Sequence, residues 1–221
     1  MFMQGKLLKL TLLSMSIALS VVPLRAEAKV MDEHAAVKMQ CYSQSMVKLK
    51  GDLRKLWIDH VFWTRSYLIS ALAGLEDQEK VLARLLKNQK DTGNAIKPYY
   101  GEAAGNQLGD LLTEHIVLAG KVIAAVKSGN SADFEKYNKE WYRNADDIAA
   151  FLSKANPNWP MKTAQDLMYG HLHLLTNNVL ARHKKDWEAD IATFEQYEDH
   201  IFMLADFLSD GIIKQFPKKF K

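Results

Sequence analysis

Cysteine, proline and strand-forming runs are all scarce in this 221-residue sequence, and each scarcity removes a class of architecture. The one cysteine, Cys41, cannot close an internal disulfide, so the fold has to hold without covalent staples. No Val/Ile/Thr-rich alternating run bounded by Asn-Gly or Asp-Gly turns is present, which argues against a sheet. Charge of one sign is lacking too. Lys6, Lys9, Arg25 and Glu27 fall in the first 28 positions, which leaves 26 basic and 25 acidic residues in the rest of the chain. So balanced a chain has no bulk electrostatic reason to bind nucleic acid, and the basic tail over 214–221 is too short to supply one. Beyond the first 28 residues no apolar stretch approaches the 18 residues a membrane-spanning helix needs.

The first 28 residues read as an export signal. Lys6 and Lys9 give a positive start, Leu10 to Val22 a largely apolar stretch, and Ala26-Glu27-Ala28 a small-x-small cleavage site. The expectation is an exported chain, periplasmic or secreted, starting at Lys29 and without a stable membrane anchor after cleavage. Residues 29–48 read as a lead-in, and 49–221 as one domain.

What the chain does have is the helical period. Apolar residues recur at three and four over about 49–73, 77–96, 104–127, 131–155, 161–184 and 186–209. Gly74, Pro98 with Gly101, Ser128-Gly129-Asn130 and Asn156-Pro157-Asn158-Trp159-Pro160 mark the breaks, with Asp77 and Ser131 as caps. Each stripe needs a partner to bury it, so the expected fold is all-α, a six-helix antiparallel bundle.

The helices also repeat. Leu56-Trp57-Ile58-Asp59-His60-Val61, Leu111-Leu112-Thr113-Glu114-His115-Ile116 and Leu167-Met168-Tyr169-Gly170-His171-Leu172 align, with the histidines 55 and 56 residues apart. Asn88, Asn144 and His200 recur at 56 and 56. The pattern predicts three helical hairpins of about 56 residues, each with one polar residue in the middle of both helices. His60 precedes Gly74 by 14 residues and Asn88 follows it by 14, so the two face each other in an antiparallel hairpin. All six polar residues fall on apolar stripes, where an unpartnered group costs about 1–3 kcal/mol. They must satisfy one another or something held between them.

Three readings of that layer stand side by side. In the first it binds a transition metal (Fe, Mn, Zn or Cu), through His60, Asp91, His115, Asp147, His171 and His200, with Asn88 and Asn144 in support. Asp91 and Asp147 enter because they lie one turn beyond Asn88 and Asn144. Asp59, Glu114 and Asp199, next to histidines in sequence, read as surface charges, and His173 falls on another face. In the second reading the layer is a closed hydrogen-bond network in a non-catalytic partner-binding or structural module. In the third it orients a small molecule in a pocket lined by Trp57, Trp63, Tyr67, Trp141 and Tyr197, with Arg65 as anion contact. Catalytic signatures are missing: no Gly-x-Ser-x-Gly elbow, no Gly-rich phosphate loop, no Cys-x-x-Cys and no His-Glu-x-x-His.

The blocks Trp57-Ile58-Asp59-His60-Val61-Phe62-Trp63-Thr64-Arg65, Asn88 to Pro98 and Asn144 to Leu152 resemble the signature blocks of a bacterial and archaeal helical family with no established activity. The resemblance spans roughly 50–216. It implies an all-helical fold and assigns no reaction.

Overall fold

The computed structural model describes residues 42–221. The expected export signal and cleavage site, Cys41 and most of the expected lead-in lie outside the described residues. The described chain is all-helical, with five helices: α1 (Gln44–Ala73), α2 (Gln78–Ser128), α3 (Ser131–Ala155), α4 (Met161–His183) and α5 (Trp187–Gln215), followed by a 3-10 turn, Pro217–Phe220. Among the described residues there is no strand, and no helix is long and apolar enough to cross a membrane.

Local chemistry sets most of the ends. The Ser43, Asn130 and Asp186 side chains accept from the backbone N–H three residues on, filling donors that the first helical turn leaves open. Gly74 and Gly129 close α1 and α2 in left-handed caps. Four expectations need correction. Helix α1 starts at Gln44 rather than 49, because Ser43 caps it and also donates to the Phe220 carbonyl at 2.6 Å. Asn130, not Ser131, caps α3, and Asp77 precedes α2 without a side-chain bond. Helix α5 continues past Gly211 to Gln215, since that glycine lies against the indole of Trp159, whose Nε1 donates to the Phe207 carbonyl at 3.0 Å.

The expected break over about 97–103 narrows to one residue, Gly101 (φ 84°, ψ 171°), inside α2. That positive φ excludes ordinary side chains and lets the chain reverse in place. The two arms, 78–100 and 102–128, then lie back to back: Gly93 faces Gly105, and the backbone at 89–90 faces Gly109. A Cβ on Gly105 would stand 2.7 Å from the Gly93 carbonyl oxygen, so only glycine permits this approach.

Each helix packs on its neighbours in the chain, and α1 closes the ring against α5. Ion pairs fix the antiparallel register of that closure, with Arg54 on Asp206 at one end and Arg65 on Asp190 at the other. The core is one continuous apolar cluster, from Leu53, Leu68 and Leu85 through Ile123 and Ile148 to Leu172, Ile201 and Ile212.

The glycine crossing gives a pair of predictions of opposite sign. Gly93→Ala, which meets backbone on the facing arm, lowers stability by about 1–3 kcal/mol. Gly51→Ala, in α1 with open space around it, raises stability by about 0.5–1 kcal/mol, the helix-propensity difference. Urea denaturation of both variants beside the parent checks this.

Candidate functional site: a buried histidine layer

The three repeated histidines meet at the centre of the ring. His60 on α1, His115 on α2 and His171 on α4 are all buried. His171 sits between the other two, its ring centroid 5.4 Å from His60 and 5.7 Å from His115. Tyr197 of α5 covers its other side at 5.0 Å. The antiparallel neighbours place these side chains at one height.

One brace recurs through the layer. Asn88 Nδ2 donates to the Leu56 carbonyl at 3.0 Å, Asn144 Nδ2 to the Leu111 carbonyl at 3.1 Å, and His200 Nε2 to the Leu167 carbonyl at 2.8 Å. Each acceptor lies four residues before a layer histidine. A carbonyl inside a helix has a second lone pair free, and the side chain from the facing helix takes it.

His115 is fully engaged. The Trp141 indole N–H, which can only donate, reaches His115 Nε2 at 3.1 Å. Nε2 is therefore the bare nitrogen, and Nδ1 carries the proton that it gives to Asn144 Oδ1 at 2.7 Å. Asn144 turns its amide to Leu111 and to Glu114 Oε2 at 3.2 Å. Glu114 is thus a partner of the layer and not only a surface charge; its remaining oxygen pairs with Arg143.

His60 is held more loosely. Its Nδ1 lies 3.3 Å from the Gln89 amide nitrogen, which also donates to Leu85 and Asn88 at 3.0 Å. Two amide hydrogens thus serve three acceptors. On the other side His60 Nε2 is 3.2 Å from the Tyr197 hydroxyl. His171 Nδ1 has no hydrogen-bond partner although it is buried, and Trp57 Nε1, one turn before His60, has none either.

The rest of the expected ligand set is elsewhere. Asp91 pairs with Lys87 at 2.7 Å, and Asp147 with Arg143 at 2.5 Å, both as i,i+4 pairs at the surface. His200 belongs to the layer through its bond to Leu167. His173 is exposed and bonds Asn177. Among the described residues no three His, Cys, Asp or Glu side chains are grouped so as to hold a metal ion.

The aromatic set divides in the same way. Trp57, Trp141 and Tyr197 pack on the histidines. Trp63 lies under Arg84, and Tyr67 against Gly120. Arg65 is committed to the buried carboxylate of Asp190, which also takes Arg182 Nη1 at 2.9 Å and Asn178 Nδ2 at 2.9 Å. Burial alone would raise that carboxyl, but the two guanidiniums outweigh it and hold Asp190 below the usual range. Sequence reasoning missed this cluster and Gln89. The buried acid on a helix face was a signal for the first. Gln89 had only its place beside Asn88.

Burial removes the charge from the layer. It pushes His60 down to about 3, helped by the nearby His115, and His115 down to about 4, against the opposing pull of Asn144 and Glu114. His171 is pushed well below the ordinary imidazole range, first by burial and then by its histidine neighbours. Burial likewise raises the Tyr197 phenol. At neutral pH the layer is three neutral imidazoles in contact.

No family model, curated protein or solved structure matches this chain.

A pH dependence follows. A histidine whose folded pKa lies below the unfolded value of about 6.5 is protonated first in the unfolded chain, so stability is complete above that value and falls as pH drops toward 4. Each pKa unit is worth about 1.4 kcal/mol per histidine, so the three together cost several kcal/mol by pH 5. The urea midpoint falls from pH 7.5 to 5, and His171→Phe flattens the slope by about one proton.

Proposed function

We propose that this chain is an exported, non-catalytic helical module of three repeated hairpins, whose polar layer is a hydrogen-bond network that fixes the register of the helices. The observation that carries the reading is the brace made three times over, from Asn88, Asn144 and His200 to carbonyls that each precede a layer histidine by four residues. The spacing of the repeat in sequence and the spacing of the brace agree. An apolar side chain at any of these positions would tolerate a slipped neighbour; a hydrogen bond to one carbonyl does not. The two capped nitrogens of His115 further support a layer whose members bond to one another. A module of this kind acts through its surface, and binding to a partner is the activity that remains open to it.

The test is stability at the three brace positions. Asn88→Leu, Asn144→Leu and His200→Phe each lose about 1–3 kcal/mol, the cost of orphaning buried polar groups, and retain a helical circular dichroism spectrum. Variants as stable as the parent would contradict the register role.

A second reading, a transition metal in the layer, is favoured by one observation: His171 Nδ1 is buried at its centre without a partner. Mass spectrometry of the protein after supplementation with iron, manganese, zinc or copper decides it. One metal per chain supports the reading, and none removes it.

A further inference from the structure

We propose that His60 and His171 form a two-coordinate site for a soft monovalent cation of the Cu(I) or Ag(I) class; the inference rests on the metal reading of the layer. The rings are neighbours, 5.4 Å between centroids; a linear bridge with metal–nitrogen bonds of about 2 Å sets two imidazole centroids about 6 Å apart, so the rings turn edge-on to the ion and part slightly to take it. The ligand count comes from what is already taken. His115 has both nitrogens engaged by Trp141 and Asn144, and His200 Nε2 is on the Leu167 carbonyl. Asp59, Asp91 and Asp147 stand in surface ion pairs with Lys55, Lys87 and Arg143. That leaves His171 Nδ1, free and buried, and His60, which gives up its contact at 3.3 Å with the Gln89 amide or at 3.2 Å with the Tyr197 hydroxyl when the ion binds.

Two neutral nitrogens and no carboxylate suit few ions. Zinc takes four ligands and magnesium or calcium six or more, largely from oxygen and water. Trp57, Trp141 and Tyr197 wall the layer with rings and leave little room for the water that would complete such a shell. A d10 monovalent ion is content with two ligands, brings half the charge into the core, and is bound by imidazole.

The test titrates the full chain carrying Cys41→Ser, which removes a competing soft thiol, with silver nitrate, and with Cu(I) in competition with bicinchoninate. Native mass spectrometry reads the stoichiometry. The expected result is one ion per chain, bound at least tenfold more weakly in His171→Phe and in His60→Gln. Undiminished binding in both variants overturns the proposal. Should a variant fail to fold, the histidine ring 15N signals of the parent decide: movement of His60 and His171 on adding Ag(I) supports the site, and movement confined to His34, His173 or His183 overturns it. Uptake of zinc, iron or manganese without any monovalent ion leaves the metal reading standing and removes this one. No uptake of any metal removes both.

Discussion

Polar atoms buried in an apolar core must find partners inside the protein, and this bundle places its repeated polar residues at its centre. The constraint reaches outward from there. Asn88, Asn144 and His200 each place an N–H on a carbonyl of the facing helix, those of Leu56, Leu111 and Leu167. Those bonds join each helix to the next at one level of the bundle. The apolar contacts above and below the layer are less selective, because Leu, Ile and Ala accept small slips at modest cost. Hydrophobic burial supplies the drive to assemble, and in the register reading proposed above the layer selects one assembly among the alternatives that burial would tolerate.

The layer also explains where charge sits. An ionised side chain beside three neutral imidazoles would be desolvated without an obvious counter-charge; Glu114 reaches the layer only at its edge, through Asn144 and with Arg143 on its other oxygen, and three aspartates near the layer in sequence turn away. Asp59, Asp91 and Asp147 each find a basic residue one turn before them on their own helix. The one deeply buried acid among the described residues, Asp190, lies toward the end of the bundle, held by two arginines and an asparagine. Removing either arginine there would leave the carboxylate underpaired in a low-dielectric setting, which is costlier than losing an exposed pair. Exposed pairs such as Lys48–Asp52 contribute little by comparison.

Much of this was legible in the residues and part was not. The helical period and the Gly and Asn breaks located the helices to within a few residues, and the spacing of His60, His115 and His171 anticipated their meeting. Symmetric placement about Gly74 put His60 opposite Asn88, and the bond from Asn88 to Leu56, one turn from His60, agrees. Asp91 and Asp147 show the limit of that reasoning. Three residues along a helix is a rotation of about 60° away from the starting face, enough to carry a side chain from the core to the rim, where Lys87 and Arg143 claim it. The Arg65–Asp190 pair joins residues 125 positions apart, and no local pattern links them. Nor does spacing reveal that Trp141 would point its N–H at His115, since that depends on side-chain rotation within the packed core.

The protonation pattern of the layer histidines tests the account most directly, through ring 15N chemical shifts of the labelled protein. The network requires His115 to carry its proton on Nδ1, with Nε2 bare beneath the Trp141 indole, and His200 to carry a proton on the Nε2 that faces Leu167. His60, His115 and His171 stay neutral at pH 6, where a solvent-exposed imidazole is largely protonated. Finding His115 protonated on Nε2, or any of the three charged at pH 6 in the folded protein, would contradict it.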